Sequence, residues 1–208
     1  ISNPYALSIT GSVCDATKLQ WADGVKISGN YAIVTANGGG VSVIDISTPQ
    51  SPRIISNLTD ATYLSDASNI TIDGKYAYIS NYSASRMTIL DISNPYALSI
   101  VGSVTDGTFL NGVEGTYKVG RYLYVASNGY FVTIDVLNPA SPTIAATLAD
   151  ANLGNAVGVV VSGDYAYVTA DDTDALVTIN IMTESNPVIT DINTSMGIYF
   201  GTQIAIVG

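Results

Sequence analysis

The chain of 208 residues contains no histidine and a single cysteine, Cys14. Without an imidazole, the chain can form neither a Ser-His or Cys-His nucleophile pair nor a histidine-ligated zinc site. One cysteine allows no internal disulfide, no CxxC redox pair and no four-cysteine metal site. The sequence therefore excludes the commonest forms of nucleophilic, thiol-redox and zinc chemistry.

Charged residues are also scarce, and most are acidic. They make up 12% of the chain, with 7 Lys and Arg against 17 Asp and Glu and a net charge of −10. Phosphate backbones and anionic membranes repel such a chain, so we expect no nucleic-acid partner. Its apolar runs are strand-sized and shorter than a membrane span, so we expect no membrane insertion. The abundant Ser, Thr, Asn and Gly favour a secreted or surface protein.

An internal repeat with a period of about 45 residues dominates the sequence. A proline that follows Asn or Thr recurs with spacings of 45, 46, 44 and 48 residues, at Pro4, Pro49, Pro95, Pro139 and Pro187. A Gly-x-Tyr step recurs in each period, beginning at Gly29, Gly74, Gly120 and Gly163. The segment Ile-Ser-Asn-Pro-Tyr-Ala-Leu-Ser-Ile occurs twice without change, at 1–9 and 92–100.

Each period has the pattern of four short strands separated by turn residues. In the third period, Ser127-Asn128-Gly129 is a hairpin signal between two apolar segments. No segment shows a sustained helical period, so almost no helix is expected. We predict an all-β chain of four-stranded blades, with strands a to d numbered from the centre outward. The complete blades are predicted at 24–59, 68–105, 112–149 and 156–192.

The pattern Val-x-Val-x-Gly-x-Tyr-Ala-Tyr-Val, a turn, then Val-x-Ile-Asp-Ile-Ser-x-Pro closely resembles the LVIVD repeat family. The resemblance covers essentially the whole chain. It implies a β-propeller of the kind found in secreted and cell-surface proteins of bacteria and archaea. It supplies no catalytic residue, because the matching positions are those that build blades.

Both ends depart from the four-strand pattern. Residues 1–14 resemble a d strand, and residues 202–207 resemble an a strand, but neither has the remaining strands of a blade. Two explanations stay open. The chain is part of a longer protein of six to eight blades, or the two terminal strands, which we call the orphan strands, pair between molecules. Pairing that runs head to tail without closing would produce a filament.

Several aspartates recur at equivalent positions of the repeats. Asp15, Asp60, Asp106 and Asp150 follow the d strands, where they could ring a calcium ion but are expected to form Asx-turns. Asp45, Asp91 and Asp135 end the c strands, where we expect turn capping. Asp171, Asp172 and Asp174 form the densest carboxylate cluster and are weak calcium candidates. They fail the EF-hand pattern, which needs Gly and Glu where Leu176 and Met182 stand.

Aromatic residues fall into two groups. Tyrosines at Tyr31, Tyr76, Tyr122 and Tyr165, with Tyr78, Tyr124 and Tyr167 on the same strands, are expected to pack between blades. Trp21, Tyr63 and Phe109 lie in the loops between blades and are candidates for stacking on a sugar or contacting a protein. Glycan is therefore a candidate partner.

The sequence contains two kinds of side chain that are often modified covalently. Four Asn-x-Ser/Thr sequons, at Asn57, Asn69, Asn81 and Asn193, are glycosylation candidates. Cys14 is expected to be a buried small apolar residue.

These features predict a non-enzymatic extracellular or cell-surface scaffold for adhesion, binding or structural assembly, without a cofactor. The alternative is a secreted lyase or hydrolase that acts on polysaccharide. Against it, Arg53, Arg86 and Arg121 occupy different parts of the repeat and are not expected to converge. No pair of acids stands out either, because Glu114 and Glu184 fall at predicted blade edges.

Overall fold

A computed structural model describes residues 8–194 and 204–205 of the chain. Within these residues, sixteen strands form four separate four-stranded sheets in which each strand pairs with its sequence neighbours. A 3₁₀ turn at Ala151–Leu153 is the one helical element of the described part. No helix there is long and apolar enough to cross a membrane. The prediction of an all-β, propeller-like array of blades is confirmed.

The strand bounds follow the predicted blades to within a few residues. Blade 1 contains β1 (Ala22–Ser28), β2 (Tyr31–Ala36), β3 (Gly40–Asp45) and β4 (Arg53–Leu58). Blade 2 contains β5 (Ala67–Asp73), β6 (Tyr76–Asn81), β7 (Arg86–Asp91) and β8 (Ser99–Thr105). Blade 3 contains β9 (Thr116–Val119), β10 (Tyr122–Ser127), β11 (Tyr130–Asp135) and β12 (Thr143–Ala149). Blade 4 contains β13 (Ala156–Ser162), β14 (Tyr165–Ala170), β15 (Ala175–Asn180) and β16 (Val188–Asn193).

The core lies between the blades. Three clusters of buried side chains fill the spaces between successive sheets, because each strand places alternate residues on its two faces. Tyr78 and Tyr124 are almost fully buried in two of these clusters. Tyr76 and Tyr122 pack against the same clusters, so the predicted inter-blade packing holds for the tyrosines of blades 2 and 3, whereas Tyr165 of blade 4 is 39% exposed.

The first sheet also has an apolar face that points away from blade 2. Ala32, Val34 and Ile44 form a small cluster on this face, and Val13 and Leu19 pack against it. The segment that precedes β1 thus covers part of a surface on which another blade would normally lie.

Residues 8–14 do not form the strand that the sequence predicted, and residues 1–7 lie outside the described part. The segment nevertheless lies where a d strand belongs. A Cβ added to Gly11 would overlap the carbonyl oxygen of Pro49 in blade 1, and one added to Gly102 of β8 would overlap that of Pro139 in blade 3. The segment keeps the d-strand position, but no strand among the described residues pairs with it.

The prediction that Cys14 is buried is wrong, since its side chain is exposed. It lies in the same segment, and no sheet pairs with that segment within the described residues. Burial of this residue depends on strands that the described chain does not supply.

At the C-terminal end of the described chain, Ile204 lies where the a strand of a following blade would lie. A Cβ on Gly24 would lie 3.2 Å from Cγ2 of Ile70 in the next blade, and a Cβ on Gly158 would lie 3.2 Å from Cγ2 of Ile204. Ile204 therefore occupies the place of an a strand after blade 4. The structure assigns no strand to residues 204–205, and the rest of the predicted strand 202–207 lies outside the described residues.

The close approach at Gly102 provides a test of blade packing. Gly102→Ala should lower the free energy of unfolding by about 1–3 kcal/mol, because its Cβ would be forced against a backbone carbonyl. Gly107→Ala is the matched control, since a Cβ there meets nothing within 4 Å. Urea denaturation of both variants measures the difference. Equal stability of the two variants would contradict the packing.

Candidate functional site

Polar side chains from blades 1, 2 and 3 meet in a cavity of about 420 Å³, which we call the mouth cavity. It lies where the a strands begin and the turns between the b and c strands come together. Its lining consists of Asp23, Gly24, Asn37, Asp66, Ser68, Asn69, Tyr82, Ser83 and Glu114. The site is therefore built from loop ends held by three sheets.

Asp66 is the most enclosed acid of the cavity, with 6% of its surface exposed. Its Oδ2 accepts a hydrogen bond of 2.6 Å from the backbone N–H of Ser83 in the b–c turn of the same blade. Nearby, the Ser68 hydroxyl donates to the carbonyl oxygen of Ser80 over 3.1 Å. These bonds fix the wall that blade 2 contributes.

The backbone of Glu114 is held by two blades. Its N–H donates to the carbonyl of Ala126, and its own carbonyl accepts a 2.7 Å bond from the Ser80 hydroxyl of blade 2. Burial, followed by repulsion from Asp23 and Asp171, raises the pKa of the Glu114 carboxyl from 4.5 to about 7. The pKa of Asp23, at the rim, is raised by burial and by the charge of Asp66. The carboxylates of the mouth are thus near enough to repel one another.

A second, smaller cavity of about 140 Å³ continues along the centre of the array. Residues of all four a strands line it together with Ile204, and Asn69 is shared with the mouth cavity. Across it, the Thr71 hydroxyl donates to the carbonyl oxygen of Thr116 over 2.9 Å and accepts a hydrogen bond of 2.8 Å from the Thr116 hydroxyl. These bonds tie blade 2 to blade 3 below the mouth.

The basic residues, all of which lie in the described part, leave the mouth acids unpaired. Five of them pair with aspartates elsewhere: Lys18–Asp15, Arg53–Asp45, Lys75–Asp91, Lys118–Asp73 and Arg121–Asp135. Arg86 bonds to Thr105 and Thr62 and lies over the Tyr63 ring, whereas Lys26 lines the central cavity. None of these side chains forms an ion pair with Asp23, Asp66 or Glu114. The three arginines do not converge, as the sequence predicted.

Comparison with known proteins places this geometry in a family. The LVIVD repeat model matches residues 21–60, 65–106, 119–150 and 153–192, which is more than half of the chain. The chain belongs to the LVIVD repeat family. No curated protein sequence matches it.

Solved structures share the fold at low sequence identity. A protein from Lactobacillus plantarum superposes with a TM-score of 0.72 at 14% identity, over 84% of this chain and 56% of its own. A protein from Bacteroides fragilis, provisionally described as a 6-phosphogluconolactonase, superposes with a TM-score of 0.70 at 14% identity, over 90% of this chain and 58% of its own. A functionally unknown protein from Desulfotomaculum acetoxidans gives 0.66 at 17%, over 82% and 55%. The LVIVD chain thus spans little more than half the length of these structures.

The recurring aspartates of the LVIVD repeats cap turns. After the d strands, Asp15, Asp60, Asp106 and Asp150 each accept backbone N–H bonds from residues two or three positions later. After the c strands, Asp45, Asp91 and Asp135 accept the N–H two residues on, and Asn180 does so in blade 4. The expectation of Asx-turns is confirmed for these positions.

The weak calcium candidates lie apart from the mouth lining. Asp171, Asp172 and Asp174 occupy the turn between β14 and β15, with Asp174 at a φ of 49°. Within residues 8–194 and 204–205, no three acidic or cysteine side chains are grouped so that they could hold a metal ion. The structure does not bring these three aspartates together as a site, and the nearest relation to the mouth is the charge effect of Asp171 on Glu114.

The three interaction candidates have different surroundings. Trp21 is 71% exposed and has a positive φ of 52°, and its carbonyl accepts the N–H of the cavity residue Asn37. Tyr63 lies under Arg86, 5.0 Å from the guanidinium to the ring centroid. Phe109 packs edge-on against Tyr130 with centroids 5.3 Å apart and belongs to the blade core. Of the three, Trp21 is the most exposed, and its backbone, though not part of the cavity lining, bonds to the lining residue Asn37.

The four sequons are not equally accessible in the folded chain. Asn81 is fully buried, with its amide donating to the Thr88 hydroxyl, and the Asn57 amide donates to the carbonyl of Gly39. Asn69 lines both cavities, whereas Asn193 is exposed at the end of β16. Glycosylation stays a prediction, and Asn193 is the position that the fold leaves open to it.

Sequence reasoning missed Asp23, Asp66 and Glu114 as a group. Asp23, Ser68, Glu114 and Val157 occupy equivalent positions near the start of the a strands, five residues before the last a-strand residue that pairs with β2, β6, β10 or β14. A comparison of the repeats at this position would have shown acids in blades 1 and 3 where the repeat does not require them.

The raised pKa of Glu114 predicts a pH-dependent penalty on folding. The unfolded carboxyl ionises near 4.5 and the folded one near 7, so stability should fall as pH rises between these values and remain lower above them. Glu114→Gln should therefore stabilise the protein at pH 8 by about 1–2 kcal/mol, after allowance for solvent screening of a half-buried group, and have little effect at pH 4.

Thermal unfolding across this pH range measures the effect. Glu184→Gln is the control, because it changes the second glutamate of the chain, which does not line the cavity. A constant difference between Glu114→Gln and the unmodified chain at all pH values would contradict the assignment.

Proposed function

We propose that the chain is a non-enzymatic scaffold, displayed outside the cell or on its surface, that binds a ligand at the mouth cavity. The observation that carries this proposal is the convergence of polar side chains from three blades on one cavity beside the exposed Trp21. Concave sites of about 300–1,000 Å³ with a few convergent polar groups are typical of ligand pockets.

The backbone at Trp21 supports a binding role. The residues at the equivalent point of blades 3 and 4, Gly112 and Asn155, also have positive φ values, of 64° and 46°. Glycine and asparagine adopt this conformation readily, whereas a bulky side chain is strained in it. A strained, exposed tryptophan beside a cavity is a candidate ligand contact.

Carbohydrate is the ligand class that fits these side chains best. An aromatic ring stacks on the apolar face of a sugar, and the amide and carboxylate oxygens of Asn37, Asn69 and Asp23 are suited to its hydroxyl groups. A phosphate-bearing ligand is disfavoured, because the lining carries three carboxylates and no basic side chain. The provisional description of the Bacteroides protein is therefore not transferred to this chain.

A polysaccharide lyase or hydrolase is the second candidate. The observation that favours it is a glutamate with a pKa of about 7 beside another carboxylate in a cavity, as a general acid would require. The binding proposal is preferred because the three arginines lie away from the mouth and no described basic group faces the two acids.

Association between copies belongs to the same proposal. Val25 and Ile27 of β1 are 56% and 60% exposed. They pair with Val34 and Ala32, whose side chains form the apolar face directed away from blade 2. Such a face is normally covered by a neighbouring blade, so we propose that it joins a further copy head to tail, as a filament or another open assembly.

The binding proposal predicts a separation of affinity from stability at Trp21. Trp21→Asn places here the residue that blade 4 has at the equivalent position, so the free energy of unfolding should change by less than about 1 kcal/mol. Binding to a glycan identified on an array should weaken at least about tenfold. Calorimetry and urea denaturation measure the two quantities.

Two outcomes would contradict this proposal. If Trp21→Asn binds the glycan with unchanged affinity, the ligand does not contact Trp21 and the proposed site at the mouth is wrong. Reproducible release of product from any polysaccharide, lost in Glu114→Gln, would favour the enzyme.

The association proposal predicts a concentration-dependent mass. Ile27→Glu should shift the chain toward monomer in sedimentation velocity, because a charge would have to be buried in the joint. Leu137→Glu is the control, since Leu137 is 69% exposed in a turn of blade 3, away from the face of blade 1. If the unmodified chain is a monodisperse monomer at all concentrations, the association proposal is wrong.

A further inference from the structure

Each space between two described blades is filled, on the side of the preceding blade, by that blade's b, c and d strands. At least one buried b-strand residue, one buried c-strand residue and one partly buried d-strand residue reach the core in all three spaces, whereas the a strand of the preceding blade adds no apolar residue. A complete joint between blades therefore needs a b–c hairpin as well as a d strand. The residues in question are Ile33, Val41 and Leu58 of blade 1, Tyr78, Met87 and Val104 of blade 2, and Tyr124, Phe131 and Leu148 of blade 3.

The face of blade 1 that points away from blade 2 has the d-strand part of such a joint. This face consists of Ala32, Val34 and Ile44, and we call it the outer face. Val13 packs against it, as Val104 packs in the joint between blades 2 and 3. Among the described residues, none supplies the apolar side chains that a b strand and a c strand bring to the other three joints.

The exposure of β1 follows from this difference. Val25 and Ile27 are 56% and 60% exposed. At the same register positions of blade 2, Ile70 is fully buried and Ile72 packs against the cluster between blades 1 and 2. Apolar side chains that three joints of the same chain bury are thus left in water at the outer face, which is unfavourable.

The sequence beside the outer face indicates which strand fits it. Segment 1–19 is identical to segment 92–110 at 15 of 19 positions. The second segment contains β8, whose partner in its own blade is the c strand β7. The backbone placement also agrees, because a Cβ on Gly11 or on Gly102 would overlap a proline carbonyl oxygen of the next blade. Residues 8–14, with which no described strand pairs, therefore present an edge that fits a c strand like β7.

A second copy joined head to tail does not bring this strand. The end of the described chain that it would offer consists of blade 4 and Ile204, which has an a-strand position. Each b–c hairpin of the described chain is already paired on both sides within its own blade. The joint between two copies would hold an a strand and a d strand with two strand positions between them. The occupant that fits is a two-stranded hairpin from another molecule.

We propose that the outer face of blade 1 and residues 8–14 bind a β-hairpin of the LVIVD pattern from a partner protein. The second strand of the hairpin pairs with residues 8–14, and one large apolar residue from each of its strands packs on the outer face. Addition of strands to an exposed edge combines backbone hydrogen bonds with selective side-chain pockets. This inference goes beyond the proposed association of copies, because the hairpin binds whether or not a second copy joins.

The single cysteine of the chain reports both binding and register. The probe is a peptide of residues 75–92, the b–c hairpin of blade 2, in which Arg86 lies opposite Thr105, the counterpart of Cys14. A peptide with Arg86→Cys should form a disulfide with Cys14 in glutathione buffer, because opposite residues of an antiparallel pair lie within reach of that bond.

A peptide with Asp91→Cys is the register control. Asp91 lies opposite Ser99, the counterpart of Ser8, at the far end of the paired segment. Intact-mass measurement should show at least about tenfold less cross-linked product with this peptide than with the Arg86→Cys peptide. Equal yields from the two peptides would overturn the proposal.

The apolar contacts need a separate control. Tyr78→Ser together with Met87→Ser removes the two side chains that the hairpin would pack on the outer face and keeps the backbone that pairs with residues 8–14. Added to the Arg86→Cys peptide, these changes should lower the cross-linked yield at least about fivefold. An unchanged yield would show pairing without docking on blade 1 and overturn the proposal.

A fused chain provides a measurement that does not depend on the stability of a free hairpin, which is marginal in water. Residues 75–91 placed directly before Ile1 recreate the sequence 75–100, because residues 1–9 repeat 92–100. The thermal midpoint of this chain should lie about 5 °C or more above that of the same fusion with Tyr78→Ser and Met87→Ser in the added hairpin. Equal midpoints would overturn the proposal.

Two further results separate this inference from the proposed association. A chain that is monomeric in sedimentation velocity, but that the Arg86→Cys peptide cross-links in register, would overturn the association and support the hairpin site. Cross-linking that disappears as the chain concentration is raised would assign the outer face to a second copy and overturn the hairpin.

Discussion

Every blade of this chain has two apolar faces, and each face can be buried only against another blade. Four strands of about six residues are too few to enclose a core of their own, so the side chains of β2, β6, β10 and β14 point alternately into the spaces on either side. The rest of the structure follows from this constraint. It explains the buried tyrosines between the sheets, the glycines where one blade meets the next, and the exposed apolar residues on the first sheet.

The same constraint determines where the charges are. Buried residues inside the sheets are mostly apolar or carry hydroxyl groups, so most charged side chains lie in turns or near strand ends, with Lys26 and Asp191 as exceptions within strands. At the turns each of the recurring aspartates has a local use, because it accepts backbone N–H bonds and in several repeats also pairs with a lysine or an arginine. The pKa values of Asp45 and Asp91 are lowered first by hydrogen bonds from the Ser47 and Ser93 side chains, and that of Asp135 first by the hydrogen bond from Arg121, with the backbone N–H bonds second in each case. The mouth acids differ from these. The pKa values of Asp23 and Glu114 are raised, and Asp66 forms no ion pair with a described residue.

Most of the fold could be predicted from the sequence, since the repeat marks each turn and the strand pattern between turns is regular. The turn aspartates were assigned correctly for the same reason, because an Asx-turn depends on residues two or three positions away. The end segments could not be assigned in this way. Gly11 has the same sequence context and the same contact as Gly102, but a strand also needs a hydrogen-bonded neighbour, and Cys14 is exposed for want of one.

The mouth cavity could not be predicted because its lining residues come from three different repeats. Asp23, Asp66 and Glu114 are separated by more than 40 residues at each step, and only the angular arrangement of three blades brings them to one wall. A comparison of the four repeats does, however, indicate which positions are free to vary. Where blade packing dictates a residue, the four copies agree; at the start of the a strand they read Asp23, Ser68, Glu114 and Val157. A position that packing does not constrain, and that faces a cavity, is where one blade can differ from the next without loss of the fold, so chemistry specific to a ligand accumulates there.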